Sequence, residues 1–127
     1  MIANELMQGD LVLYEYNGDK FPARVVEIYR SSALVESVSK EYEPIEIAED
    51  KLFPVAISPE ILFKNGWIYL GDYWDIEIDE GFMLEIGVDG KNCYWWIVGT
   101  MLICPINYVH ELQHALRLRG IDKEIVL

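Results

Sequence analysis

Short segments with alternating apolar and polar residues follow one another through the first half of the chain. The first, Leu11 to Tyr16, ends at Asn17-Gly18, a pair typical of the two-residue hairpin turn because both of its central residues need positive φ angles. Further segments with strand character follow at 21–29, 33–38, 42–47 and 51–57. Short strands joined by tight turns predict a small SH3-like β-barrel over residues 1–57.

Ser58-Pro59-Glu60 is a predicted helix start. Serine can cap a helix, proline suits its first position, and glutamate complements the positive end of its dipole. Asn65-Gly66 is the matching stop, so a short helix is predicted at 59–64. We place the domain boundary before Ser58, which divides the chain into 1–57 and 58–127, either as two domains or as two halves of one compact unit.

The second half also has the pattern of an antiparallel sheet. Asp89-Gly90 is a further hairpin signal. The segment Tyr94 to Ile103 is too apolar to alternate, which is typical of a central strand covered on both faces, and Gly99-Thr100 is a point at which it can divide in two. Earlier strands, of which the second alternates clearly, are predicted at 67–70, 73–78 and 82–88.

The last predicted helix spans 107–119. Its first residue is an asparagine, which can act as the cap, and the glycine directly after the helix is the stop. Its apolar side, which includes Val109, Leu112 and Leu116, is expected to pack on the sheet. Residues 121–127 are expected to add an edge strand. The predicted fold is therefore α+β: an N-terminal SH3-like half, a short helix, and an antiparallel β-meander with one packed C-terminal helix.

Composition narrows the classes of protein to consider. Hydrophobic residues make up 52% of the chain, enough for a packed interior without a disulfide or a metal. Ten basic residues against 22 acidic ones give a net charge of −12, which disfavours direct binding to nucleic acid because a phosphate backbone is repelled. The most membrane-like run, 93–106, is shorter than the roughly 20 apolar residues of a membrane span, so no membrane association is predicted.

Two further features indicate the compartment. The first ten residues contain no Lys or Arg and no apolar core segment, so no secretory signal is predicted. Cys93 and Cys104 are too far apart for a C-x-x-C motif and have apolar neighbours, which favours buried free thiols over a disulfide. Both observations predict a reducing, cytoplasmic location.

His110-Glu111-Leu112-Gln113-His114 matches the zinc-peptidase pattern H-E-x-x-H. Two histidines one helical turn apart can bind one zinc ion, and the glutamate beside the first can act as general base on metal-bound water. In this alternative the protein is a small zinc-dependent hydrolase, with His110 and His114 as metal ligands and Glu111 as the catalytic base.

Helical phase favours a different interpretation of the motif. At about 100° per residue, the apolar residues of the helix form an arc opposite His110 and His114, so both histidines are expected on its solvent side. Arg117 shares that side and repels a dication. A catalytic zinc also needs a third protein ligand, for which Glu124 is the nearby downstream candidate. We therefore predict no catalytic residue, no metal ligand and no cofactor.

Acidic residues form one cluster in each half: Glu41, Glu43, Glu46, Glu49 and Asp50, and then Asp72, Asp75, Glu77, Asp79 and Glu80. In the second cluster the acids alternate along a predicted strand, whereas a calcium site of the EF-hand type needs them in a loop. Solvated strand faces are the favoured interpretation, and weak cation binding is the alternative.

Tyr73, Trp95 and Trp96 are candidate partner-binding residues. Adjacent residues of a strand point to opposite faces, so Trp95 and Trp96 cannot both enter one side of the sheet. If one face is open to solvent, one of the two rings is available to anchor a partner. Core packing on both faces is the favoured interpretation, and a binding patch is the alternative.

The chain also carries a family resemblance on four stretches: Ala3-Asn4-Glu5-Leu6 with Gly9-Asp10-Leu11-Val12, Ile57 to Gly66, Gly71-Asp72-Tyr73-Trp74, and Tyr108-Val109-His110 with Leu112-Gln113. On these residues it resembles a family of small uncharacterised proteins encoded by anaerobic gut bacteria, their phages and mobile elements. Members often have Gln at the position of Glu111 and Asn at that of His114. The resemblance therefore implies neither a zinc site nor an activity.

The missing catalytic constellation, the acidic surface and the aromatic strands together favour a non-enzymatic cytoplasmic interaction module with a protein partner. A more specific hypothesis is that such an acidic protein of phage type inhibits a basic host protein or mimics DNA. The sequence leaves the identity of the partner and the oligomeric state open.

Overall fold

The computed structural model describes residues 1–39, 42–79, 82–89, 91, 93–98 and 101–127, without the side chains of Asp79 and Leu102. This part of the chain forms ten strands in two antiparallel sheets and two α-helices, which confirms the predicted α+β class. It divides into two units, Met1–Val55 and Ala56–Leu127. No helix within these residues is long and apolar enough to cross a membrane.

The sheet of the first unit has five strands: β1 (Leu11–Tyr16), β2 (Asp19–Ile28), β3 (Ser32–Ser37), β4 (Ile45–Ala48) and β5 (Leu52–Pro54). Their order is β4-β3-β2-β1-β5, which forms a half-barrel. The last two strands are shorter than the segments predicted at 42–47 and 51–57. A single 3-10 turn, Glu49–Lys51, connects them and replaces part of the predicted strand.

The turn between β1 and β2 is the one that the sequence predicts. Asn17 and Gly18 have φ angles of 53° and 84°, and Tyr16 pairs with Asp19 across this two-residue turn. The strands then bury one face, and the core of the unit consists of Leu6, Val12, Tyr14, Ala23, Val25, Ala33, Val35 and Leu52. The two-residue period of the strands therefore gives this sheet one apolar side.

The second unit begins with α1 (Pro59–Lys64), whose bounds equal the predicted ones. Ser58 Oγ accepts a hydrogen bond from the Ile61 N–H at 3.3 Å, and Gly66 ends the helix with a φ of 88°. The unit continues with β6 (Ile68–Tyr69), β7 (Tyr73–Asp79), β8 (Phe82–Val88), β9 (Tyr94–Val98), β10 (Met101–Pro105) and α2 (Val109–Leu118). The strand order β10-β9-β8-β7-β6 is sequential, as in a meander.

One face of this second sheet is buried. Its side chains are at most 7% exposed at Trp74, Ile76, Leu84, Ile86 and Trp96. In α2, Val109, Leu112 and Leu116 are at most 1% exposed, as their positions on the apolar side predict. A groove lined by both Trp96 and His114 places α2 beside the strands β9 and β10.

The predicted segment 94–103 forms two strands, β9 and β10, as the sequence allows; β9 lies between two other strands, but the prediction of a central strand covered on both faces is wrong for β10. β10 is an edge strand, and its residues Met101 and Ile103 are 67% and 51% exposed. An apolar composition is shared by buried central strands and by unprotected edges, so it does not distinguish them. The predicted break at Gly99-Thr100 lies outside the described residues, as does Gly90 of the predicted turn.

Residues 121–127 do not form the predicted edge strand. The carboxamide of Asn65 binds the backbone of Val126 instead: Asn65 Nδ2 donates to the Val126 carbonyl, and the Val126 N–H donates to Asn65 Oδ1, both at 2.7 Å. Ile125 is 1% exposed beside it. Backbone groups near the core need hydrogen-bond partners. Here the Asn65 carboxamide supplies to Val126 the two hydrogen bonds that a neighbouring strand would supply in a sheet.

The predicted cap of the second helix is also wrong. Tyr108, not Asn107, occupies the position directly before α2. Asn107 Oδ1 accepts a hydrogen bond from the Tyr94 N–H at 3.3 Å, and the Asn107 carbonyl accepts one from the Ile57 N–H at 2.9 Å. Asn107 therefore ties β9 and the segment before α1 to the start of α2.

Leu112→Ala is expected to lower the free energy of unfolding by about 2–5 kcal/mol, because it leaves a cavity at a side chain that is 1% exposed. Leu118→Ala, in the same helix but at 88% exposure, is the matched control and is expected to change that free energy by less than about 0.5 kcal/mol. Urea unfolding followed by circular dichroism measures both. Equal effects of the two substitutions would contradict this packing of α2.

Candidate functional site

The helix α2 brings together the two histidines of the H-E-x-x-H motif. The ring centroids of His110 and His114 are 5.6 Å apart in an edge-to-face arrangement. The Tyr108 ring stacks on His110, with centroids 6.0 Å apart and ring planes at 10°. The spacing of the motif therefore places the two imidazoles next to each other, edge to face, and the first of them against the Tyr108 ring.

The expected position of both histidines on the solvent side of α2 is wrong for His110. His110 is 6% exposed, whereas His114 is half-buried. The buried residues of α2 are Val109, His110, Leu112, Gln113, Ala115 and Leu116. At about 100° per residue they cover more than half of the helix circumference, so an arc inferred from apolar residues alone is too narrow.

Glu111 binds the backbone at the start of α2. Its Oε1 atom accepts hydrogen bonds from the N–H groups of Asn107 at 3.0 Å and Tyr108 at 3.1 Å. A glutamate at the third position of a helix commonly satisfies the free N–H groups of the first turn in this way. The geometry therefore gives Glu111 a structural role as a helix cap.

A zinc site also needs a third ligand. Among the described residues, no group of three His, Cys, Asp or Glu side chains lies close enough to hold a metal ion. Glu124, the downstream candidate, lines one groove with Glu77, whereas His114 lines a separate groove with Trp96 and Glu111. The zinc-hydrolase alternative therefore has no complete site within the described chain.

The second sheet has an open face opposite its buried one, and the candidate partner-binding residues divide between the two faces. Trp96 is 3% exposed on the buried face, whereas Tyr73 and Trp95 are half-buried and line a groove on the open face. The alternation of side chains along β9 predicts this separation of Trp95 from Trp96. Trp96 thus belongs to the core, and Tyr73 and Trp95 are the candidates for contact with a partner.

Tyr73, Gly87 and Trp95 form one row across the strands β7, β8 and β9. Tyr73 pairs with Gly87, and Gly87 pairs with Trp95. Neighbouring strands lie about 4.8 Å apart, so the backbones of the two aromatic residues lie about 10 Å apart, with Gly87 between them. These three residues line an open groove of about 290 Å³, here called the aromatic groove, together with Asp72, Glu85, Val88, Asp89 and Ile97.

Carboxylates lie in the next row of the open face. Asp75 and Glu85 are direct cross-strand partners, and both are half-buried. Like charges in this position repel each other and destabilise a sheet locally. Within the described residues, neither carboxylate has a basic partner. The open face is therefore both aromatic and acidic.

Asp89 fixes the position of Trp95. Asp89 Oδ2 accepts a hydrogen bond from the Trp95 indole N–H at 3.0 Å, and Oδ1 accepts bonds from the N–H groups of Lys91 at 2.8 Å and Cys93 at 3.0 Å. The indole bond first, and then the backbone bonds, lower the pKa of Asp89 from its ordinary value. Asp89 is therefore ionised at neutral pH and adds negative charge to the groove. The turn signal at this aspartate predicts a hairpin but gives no sign of the indole bond.

The acidic cluster of the first half has a different setting. Glu49 Oε2 accepts a hydrogen bond from the Ala3 N–H at 3.0 Å, which holds the start of the chain to the first unit. Glu43 is exposed. Glu41 and Glu80, which the sequence also placed in the acidic clusters, lie outside the described residues.

The two cysteines are free thiols, as predicted, but they are less buried than predicted. Cys93 and Cys104 are both half-buried. Cys104 lies on β10 opposite Trp96, and Cys93 directly precedes β9. Their partial burial comes from their places near the edge and the end of the second sheet.

A scan against protein-family models, a search of curated proteins and a search of solved structures found no match to this chain. The class of protein is therefore defined by its fold and its candidate site. It is a two-unit α+β protein whose second sheet has an open face that is aromatic and acidic.

Glu111→Ala is expected to lower the free energy of unfolding by about 1 kcal/mol, because two N–H groups at the start of α2 lose their acceptor. Glu111→Gln retains an acceptor oxygen and is the matched control, with a smaller loss. Urea unfolding measures both variants. A zinc-dependent hydrolysis that Glu111→Gln abolishes would contradict the structural role.

The hydrogen bond between Asp89 and Trp95 is expected to persist below the pH at which an ordinary aspartate takes up a proton. Because the pKa of Asp89 is lowered in the folded protein, the stability it contributes is fully present above the unfolded pKa of about 3.9 and is lost as the pH falls through the folded pKa. The NMR signal of the Trp95 indole N–H reports this titration, and Asp89→Asn is its control. A midpoint at or above the ordinary aspartate value would refute the assignment.

Proposed function

We propose that the chain is a non-enzymatic interaction module that binds a basic region of a protein partner through the open face of its second sheet. The observation that carries this proposal is the presence of two half-buried aromatic residues, Tyr73 and Trp95, beside carboxylates on the same face. Aromatic side chains are common energetic anchors of interfaces. Carboxylates around them favour a partner of the opposite charge.

The repulsion between Asp75 and Glu85 supports the choice of a basic partner. Two carboxylates placed directly opposite each other weaken the isolated sheet, and a cation that approaches both of them relieves this repulsion. The net charge of −12 adds a long-range attraction for basic surfaces. A charge pattern that is unfavourable for the free protein therefore becomes favourable in a complex.

In its more specific form, the proposal is a cytoplasmic accessory or inhibitor protein of phage or mobile-element type that covers the basic surface of a host protein. The acidic charge supports this, and so does the resemblance carried by the motifs of the sequence. Some of those motifs have structural roles: Gly9 has a φ of 88°, and Asp10 Oδ2 accepts a hydrogen bond from the Met7 N–H at 2.8 Å. Direct binding to nucleic acid forms no part of the proposal.

For the first unit we propose the SH3-like barrel as the more detailed description of the fold. Five strands in a half-barrel sheet support it. The pairing of β5 with β1 supports it further, because it brings the last strand of the unit beside its first strand.

Neutralising the acidic pair with Asp75→Asn and Glu85→Gln is expected to weaken binding of the partner about tenfold, because charge complementarity is lost. The same double variant is expected to raise the free energy of unfolding by about 0.5 kcal/mol, because a like-charge pair is removed. The matched control is Glu43→Gln with Asp50→Asn, which makes the same change of charge at exposed positions of the first unit.

The partner for this experiment is a protein recovered from a lysate of the source cell on the immobilised chain. Calorimetry at salt concentrations of about 0.05 M and 0.5 M then measures its affinity, which is expected to fall steeply with salt. Salt-insensitive binding counts against the proposal. Repeated failure to recover any partner, together with turnover of a substrate by the chain, would overturn it.

A further inference from the structure

We propose that the aromatic groove binds the guanidinium group of an arginine side chain, which a basic segment of the partner presents. This inference rests on the proposed function, because it names the chemical group through which the open face holds that partner. It depends on the row formed by Tyr73, Gly87 and Trp95 and on the carboxylates beside it.

The row of Tyr73, Gly87 and Trp95 places an aromatic residue on each side of one position. The backbones of Tyr73 and Trp95 lie about 10 Å apart across Gly87, so a cation held over this row is within reach of both side chains. Aromatic faces attract a cation that lies within roughly 6 Å of the ring centroid. Gly87 is buried among its neighbours and has no side chain, so the walls of the groove at this row belong to Tyr73 and Trp95.

The next row of the open face supplies the groups that distinguish arginine from lysine. Glu85 lies two residues from Gly87 on β8 and lines the groove. Its carboxylate can accept two N–H groups from the edge of a planar guanidinium whose face stacks on an aromatic ring. Ile97, which pairs with Glu85, offers an apolar contact to the methylene groups of the arginine. An ammonium group has no such plane to stack.

The charges around the groove are complementary to a guanidinium. Asp72, Glu85 and Asp89 line it, and Asp75 lies opposite Glu85. Lys91 is exposed in the turn after β8, and its charge acts on Asp89. The carboxylates outnumber this basic group, so the groove attracts a cation.

The Trp95 ring is held in place before any partner arrives. Its indole N–H donates to Asp89 Oδ2, and that carboxylate also closes the turn through its backbone bonds. A ring fixed in this way loses little conformational freedom on binding. Asp89 is thus a positioning residue for the groove, and Trp95 is one of its walls.

Two short peptides of equal positive charge test the inference, one built from arginine and glycine and the other from lysine and glycine. Each is titrated into the full chain labelled with ¹⁵N, and the indole N–H signals of Trp95 and of the core residue Trp96 are followed. The arginine peptide is expected to shift the Trp95 signal and to bind about tenfold more tightly than the lysine peptide. The Trp96 signal reports that the protein stays folded.

Gly87→Val is the decisive variant, because it adds a side chain in the row between Tyr73 and Trp95 and retains every charge. It is expected to bring the two peptides to about equal affinity. Tyr73→Leu, which removes one wall, is expected to weaken the arginine preference and serves as a second variant should Gly87→Val fail to fold. Asp122→Asn, a loss of one exposed charge outside the groove, is expected to leave the preference unchanged.

The outcomes separate this inference from the proposed function. Equal affinity of the two peptides for the unmodified chain, or an arginine preference that survives in a folded Gly87→Val, overturns the arginine site. Failure of both peptides to bind also overturns it. In each case, binding of a basic protein partner that still depends on Asp75 and Glu85 leaves the proposed function standing. Arginine-selective binding in the groove without any recoverable basic partner overturns only the proposed function.

Discussion

Each of the two sheets has a buried face, and the two-residue period of a strand sends alternate side chains toward it. In the second unit this rule sends Trp96 into the core and its neighbour Trp95 to the open face. A shift of register by one residue would exchange the two sets of side chains. The Asp89 carboxylate binds the backbone of the turn between β8 and β9 and also the Trp95 indole. The Asp89 side chain therefore holds both the turn between β8 and β9 and the Trp95 ring of the candidate site.

The open face departs from what stability alone favours. Asp75 and Glu85 place like charges opposite each other on neighbouring strands, and half-buried aromatic residues flank a glycine in the adjacent row. Elsewhere the local features agree with the fold, as at the capped helix α1 and at the Asn17-Gly18 turn. Departures of this kind are expected where a protein binds something, because contacts with a partner then offset their cost. The H-E-x-x-H motif is not such a departure, since Glu111 satisfies the backbone of its own helix.

The sequence by itself determined the features that depend on a few neighbouring residues. The Asn17-Gly18 turn follows from the φ angles that such turns need, and the bounds of α1 follow from its serine cap and its glycine stop. The strand Phe82–Val88 has its predicted bounds, and the opposite orientations of Trp95 and Trp96 follow from the strand period. Each of these features is local, because its cause lies within a few residues of it along the chain.

Only the tertiary structure decided which segments become neighbours. It made the apolar strand β10 an edge, and it paired the backbone of Val126 with the Asn65 side chain in place of a strand. It buried His110, although the apolar pattern of α2 alone predicts that this residue faces solvent. The row of Tyr73, Gly87 and Trp95 also arises in this way, because three residues distant in the sequence meet through the pairing of β7, β8 and β9. Side-chain type sets what each residue can do chemically, whereas long-range strand pairing sets which residues act together.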